Sequence, residues 1–128
     1  MIIDTSAIVA ILLGEPEAAD FIDALLDAPT ARMSAATYVE AAVVVDANRD
    51  PVLSARFDEL AAEIEVVPMT GDHANTARQA YRDYGRPTGH PARLNLGDCF
   101  AYALARTSGE PLLFKGNDFV HTDLLPAR

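Results

Sequence analysis

The chain has 128 residues, half of them hydrophobic, with one cysteine and a formal charge of −9. That length builds one core and leaves no room for a second, so a single domain over residues 1–128 is expected. Lone Cys99 excludes an internal disulfide and a multi-cysteine zinc site, pointing to a reducing compartment, the cytoplasm, while the acidity argues against a broad nucleic-acid footprint.

Met1 to Asp4 reads as a short apolar strand and Ser6 to Leu13 as a buried helix. The start has no basic leader, and the uncharged run from Thr5 to Gly14 falls far short of the ~20 residues that cross a bilayer. A soluble protein with no membrane partner is expected. Glu17 to Asp27 sets Ala18, Phe21, Ile22, Leu25 and Leu26 at the spacing of an amphipathic helix, with acids on the opposite face. A strand near Arg32 to Ser34 follows the Ala28-Pro29 break. The apolar segment Ala36 to Ala47 has strand-like Val43-Val44-Val45, but its length and alanines favour a helix. Apolarity on nearly every side marks that helix as deeply buried or as part of a contact with another chain.

A helix over Pro51 to Glu63 leads to a strand, Glu65 to Val67. "TGDHANTARQAYRDYG" reads as a helix capped by Asp72 and stopped by Gly85. The loop "GRPTGHPAR" carries too many Gly and Pro residues for regular structure. "LNLGDCFAYALA" then opens a helix that ends at Ser108-Gly109. A strand over Leu112 to Phe114 runs into the turn "KGND", and an extended piece is expected near His121 to Leu124. Short strands alternating with helices imply parallel pairing, hence an open α/β sheet covered on both sides, with the ligand site beyond the carboxyl ends of the strands.

That topology gathers four acids. Asp4 ends the first strand and Asp118 lies just beyond the fourth. Glu40 sits near the start of the helix after the second strand, and Asp98 in the first turn of the helix leading to the fourth. Each has a plainer reading: Asp4 as a helix cap, Asp118 as an Asx turn, Asp98 as the third residue of a capping box with Asn95. Glu40 is harder to explain, because a charge among Val39, Ala41, Ala42 and Val43 is costly unless it is paired with an arginine or bound to a metal. Asp72 is set aside as a cap whose strand lies at the sheet margin.

Like charges ~4 Å apart repel by ~4 kcal/mol per pair at an effective dielectric of ~20. Either the acids hold protons, or a divalent cation sits among them. Oxygen-only ligands select hard ions such as Mg²⁺, with Mn²⁺ able to substitute, and such ions serve phosphodiester hydrolysis. His73, His90 and His121 are scattered with no ligand spacing, Lys115 is read as exposed beside Asp118, and Cys99 as core filler. From Arg78 to Arg93, four arginines meet one acid, Asp83, a local sum of +3. This is either a solvated face or a phosphate-facing patch, with Arg82, Arg86 and Arg93 as candidate phosphate-backbone contacts.

In order and spacing, "MIIDTSAI", "TYVEAAVV", "HPARLNLGDCFAYALA" and "LLFKGNDF" resemble the PIN-domain ribonucleases, specifically the VapC-type toxins of bacterial toxin–antitoxin pairs, over essentially the whole chain. The resemblance implies a three-layer α/β/α sandwich around a central, mainly parallel sheet, with the first strand in its middle. It implies a Mg²⁺ or Mn²⁺ site at Asp4, Glu40, Asp98 and Asp118, supported by Thr5 or Ser6 and by Asn117. It further implies metal-dependent cleavage of RNA, a homodimer, and a VapB-type antitoxin that neutralises the toxin. Two departures bear on RNA choice: "GRPTG" precedes His90 where many relatives are more basic, and Leu96 stands where an aromatic is common.

Two rivals stay open. One is Mg²⁺-dependent phosphotransfer through an aspartyl intermediate on Asp4, disfavoured because Ser6 stands where a dehalogenase-like pattern has a second acid. The other is a non-enzymatic dimerisation module whose acids are caps.

Overall fold

The computed structural model describes residues 1–128. Four short strands, β1 (Ile2–Ile3), β2 (Arg32–Ser34), β3 (Glu65–Val67) and β4 (Leu112–Leu113), form one sheet in the order β3-β2-β1-β4. Every pairing is parallel, with Ile2 opposite both Arg32 and Leu112, and Met33 opposite Val66. Six helices complete the chain: α1 (Thr5–Leu12), α2 (Ala18–Asp27), α3 (Ala35–Asp46), α4 (Pro51–Ala62), α5 (Gly71–Tyr84) and α6 (Leu96–Ser108).

Successive strand residues point to opposite faces, and this divides the core in two. Ile2 and Leu112 join the buried alanines of α5 and α6, with Leu94, Tyr102 and Phe119. Ile3, Met33 and Leu113 join Ile8, Phe21, Ala41, Val45, Leu53 and Phe57 from α1 to α4. The result is the expected α/β/α sandwich. Because helices cover both faces, β1 and β4 are wholly apolar and buried, whereas β2 carries Arg32 and Ser34 and the edge strand β3 is mostly exposed.

Several elements depart from expectation. The valines of α3 are not all buried: Thr37, Ala41 and Val45 face the core, whereas Val39, Val43 and Val44 are 58, 62 and 43 % exposed. Only the side turned toward α1 and α4 is covered. In α2, Phe21 and Ala24 are buried, while Ile22 and Leu26 face outward. Thr70, not Asp72, caps α5: its Oγ1 accepts from the His73 amide at 3.2 Å, and His73 Nδ1 accepts from the Thr70 amide at 3.3 Å. Asp72 is two residues past the cap and lies exposed in the first turn. The expected extended piece at His121 to Leu124 is instead preceded by a 3-10 turn over Phe119–His121, and the added parallel bridge pairs Leu112 with Pro126. No helix is long and apolar enough to cross a membrane.

The loop between α5 and α6 is more ordered than its composition suggests. It contains a 3-10 turn, Arg86–Thr88, and its ends are tied by a Gly85 to Leu94 bridge. Inside it, Thr88 Oγ1 donates to the Gly85 carbonyl at 2.7 Å, and His90 Nδ1 accepts from the Ala92 amide at 3.1 Å. Side-chain hydrogen bonds replace the missing ladder, as these residue types allow.

Candidate active site

Parallel strands deliver all four carboxyl ends to one edge, and the sheet reverses its order at β1, between β2 and β4. Open α/β sheets bind ligands at such a reversal. There a cleft of about 380 Å³ is lined by Asp4, Thr5, Ser6, Val9, Glu15, Glu40, Val44, Asn95, Asp98 and Lys115.

Asp4 follows β1 in extended conformation and caps α1. Its Oδ2 accepts from the Ser6 amide at 3.0 Å and from Ser6 Oγ at 2.6 Å. Oδ1 is buried with no hydrogen-bond partner, and the residue is 3 % exposed. Burial pushes its pKa up to about 7; the Ser6 hydroxyl opposes this, and the charges of Asp98 and Glu40 add to it. The cap and the site are thus one side chain.

Asp98 likewise fulfils its plainer reading without losing the other. It is the third residue of α6 in a capping box, its Oδ2 accepting from the Asn95 amide and its own amide donating to Asn95 Oδ1, both at 2.9 Å. Only one carboxylate oxygen is needed for that cap, so the other is left for the cleft. Its pKa is raised, chiefly by burial, against the Asn95 bond; the charges of Asp118 and Glu40 raise it further, and Arg86 lowers it.

Glu40 reaches the cleft from α3 and has no arginine partner among the ion pairs of the chain. Its Oε1 accepts from Thr5 Oγ1 at 2.5 Å. Its carboxylate lies against Gly97, where an added Cβ would collide with Oε2. Gly97 is therefore part of the site, and sequence reasoning missed it. The available signal was a glycine inside the first turn of a helix, where it costs about 1 kcal/mol relative to alanine. Glu15 and Lys115 were also missed as lining residues.

Asp118 stands apart. It is half-buried at the start of the Phe119–His121 turn, close enough to raise the Asp98 pKa but outside the cleft lining. Asn117 is exposed in the same turn and does not line the cleft. Arg82, Arg86 and Arg93 are all exposed, and only Arg86 acts on a cleft acid. Arg86 Nε donates to the Arg93 carbonyl at 3.1 Å, and Arg93 holds a left-handed φ of 49°. Cys99 is buried, its thiol pushed up to about 12 by burial, which fits core filler.

Of the four carboxylates that line the cleft, Glu15 pairs with Lys115, and the other three, Asp4, Glu40 and Asp98, are not drawn into a closed metal cage. Ser6, Thr5 and Asn95 each hold one of them back, which limits their mutual repulsion. The donor set nevertheless fits a hard divalent cation: three carboxylates on one cleft, with a buried Asp4 oxygen that no protein donor satisfies.

Comparison with known proteins agrees with this architecture. The PIN domain family profile matches residues 1–125. Ribonuclease VapC28 of Mycobacterium tuberculosis is 56 % identical over 124 residues, covering 95 % of this chain and 93 % of the relative. Ribonuclease VapC42 of the same species is 53 % identical over 129 aligned positions, covering 99 % and 98 %. Among solved structures, M. tuberculosis VapC20, described as a sarcin–ricin loop cleaving toxin, superposes with a TM-score of 0.73 at 15 % identity, over 97 % of this chain and 95 % of that one. The VapBC2 complex of Rickettsia felis, bound to a promoter DNA fragment, gives 0.74 at 13 % identity, over 98 % and 94 %. A parallel sheet with an acidic cleft at its point of reversal, matched across the full length, places this chain in the PIN-domain family. Within that family it groups with the VapC ribonucleases.

Proposed function

We propose that this protein is a metal-dependent endoribonuclease toxin, held in check by a VapB-type antitoxin. The observation that carries the reading is the convergence of Asp4, Glu40 and Asp98 on one cleft, with a buried Asp4 oxygen left unpartnered. Relatives at 47 to 56 % identity named as VapC ribonucleases support it. An aspartyl-phosphate mechanism finds less support, because Ser6 stands two residues after Asp4 where a dehalogenase-like pattern has a second acid. The non-enzymatic module leaves the orphaned Asp4 oxygen without a purpose.

Asp4, Glu40 and Asp98 are the residues that would hold Mg²⁺ or Mn²⁺ in this reading, with Asp118 adding negative charge near Asp98 from outside the cleft lining. A cation bound there supplies positive charge that makes water acidic enough to attack a phosphate at neutral pH and offsets charge on the departing oxygen. Ser6 orients Asp4, Thr5 orients Glu40, and the Asn95 box orients Asp98, so the carboxylates are preset before substrate arrives. Asn117 stands at the rim. Arg86 and Arg93 contact the RNA backbone, with Arg82 further along α5.

The partners proposed are RNA, an antitoxin and a second copy of this chain, all in the cytoplasm. The exposed Val39, Val43 and Val44 of α3 favour a covered face, and structural neighbours include toxin–antitoxin complexes. Replacing Asp98 by Asn tests the mechanism. Asparagine still accepts the Asn95 amide, so the fold should persist, while RNA cleavage should fall at least a hundredfold, as loss of a key electrostatic group does. Retained turnover in a folded D98N protein would count against the mechanism, and Mn²⁺ calorimetry without stoichiometric heat would sink the metal site.

A further inference from the structure

Lys115 is the sole lysine of the chain and the only basic side chain lining the cleft. Its main-chain N–H donates to Ser6 Oγ at 2.9 Å, and Ser6 Oγ in turn donates to Asp4 Oδ2. The residue is therefore anchored two hydrogen bonds from the deepest carboxylate. Its side chain crosses to the segment between α1 and α2, where Nζ pairs with Glu15 and, at 3.3 Å, with Glu17. Glu15 lines the same cleft.

Apart from that lysine, the charged groups of the cleft wall are Asp4, Glu15, Glu40 and Asp98. A cation held by Asp4, Glu40 and Asp98 offsets part of that charge, but among the side chains of the wall only Lys115 attracts a phosphodiester. We propose that Lys115 is the phosphate-binding side chain of the cleft, held on Glu15 and Glu17 until a backbone phosphate of RNA replaces them. This rests on the nuclease reading above.

The physical argument is one of exchange. An exposed ion pair contributes little, because solvent screens it and two long side chains must be ordered. The glutamates thus keep the ammonium near the cleft without withholding it. Lysine suits the task, since its compact charge sits on a flexible stem with three rotatable donors, able to pass from carboxylate to phosphate without a fixed fork geometry. Lysine is charged at neutral pH by its ordinary pKa, and both glutamates raise it further while they hold it.

The test uses the full chain, Mn²⁺ or Mg²⁺, and a randomised RNA oligonucleotide pool carrying a fluorophore and a quencher. Because the Ser6 bond uses the main chain, Lys115→Met keeps that anchor and deletes the charge together with its pairs to Glu15 and Glu17. K115M should raise KM about tenfold and keep kcat within about twofold, and the slope of log kcat/KM against log salt should shrink by about 0.7 to 1. K115R should restore most of both. In the E15Q/E17Q double variant, which frees the lysine and removes two negative charges, KM should fall. K115M with unaltered KM and salt slope, or a double variant that reproduces the K115M defect, overturns the assignment. Should K115M melt early, the glutamate variant decides alone, a lower KM supporting the assignment and a higher one refuting it. A wild-type protein that cleaves no RNA with either metal sinks the nuclease reading itself, whereas cleavage matched by K115M sinks only the role of Lys115.

Discussion

Burial takes water away from Asp4, and the only donors that replace it are the amide and hydroxyl of Ser6, both on one oxygen. From the ordinary aspartate range up to about 7, the folded protein holds a proton that the unfolded chain has released. Metal-free stability should therefore be highest below that window and fall as pH rises through it, with Asp98 adding to the same slope. Denaturant midpoints between pH 4 and 8 check this, and Asp4→Asn should flatten most of the trend. Gly97 gives a second prediction at this scale. Alanine is the better helix former by about 1 kcal/mol, but its Cβ would push the Glu40 carboxylate off its seat. G97A should melt near the wild-type temperature yet lose at least tenfold in RNA cleavage, measured under single-turnover conditions.

At the scale of elements, α3 carries two assignments on neighbouring parts of its surface, with Glu40 and Val44 in the cleft and Val39 and Val43 beside it. Glu40 was legible because a lone charge in an apolar helix demands a reason, and Thr5 together with the cleft supplies it. The exposure of Val39 and Val43 was not legible, since hydrophobicity records that a side can be covered and not what covers it. If α3 forms the proposed contact between two copies, Val43→Glu should shift sedimentation from dimer to monomer while leaving the far-ultraviolet circular dichroism unchanged. A monomeric wild type would refute that contact. The start of α5 shows the limit of local signals. Asp72 and Thr70 both look like caps, and the choice fell to the residue whose backbone is extended and whose box closes with His73.

Across the whole molecule, acidity and function are reconciled by where the charges sit. The chain is −9 overall, yet Arg86 in the basic loop after α5 is close enough to act on Asp98, the one acid of α6. Cation binding should relieve carboxylate repulsion and stabilise the native state by mass action. At a hundredfold excess over Kd that is about 2.7 kcal/mol, on the order of 10 °C in Tm. Thermal melts with and without Mn²⁺ should show the rise in wild type and its absence in Asp4→Asn.

By itself, the sequence determined the alternation of strands and helices, the parallel pairing, and the placement of Asp4, Glu40 and Asp98 at one edge. These follow from local periodicity and from the rule that a parallel sheet delivers all strand ends to the same side. Only the tertiary structure decided that Asp118 acts on Asp98 from outside the cleft lining, that Gly97 makes room for Glu40, and that Lys115 spans to Glu15 and Glu17. Those relations join residues tens of positions apart through side-chain reach and close packing, quantities that no local pattern along a chain encodes.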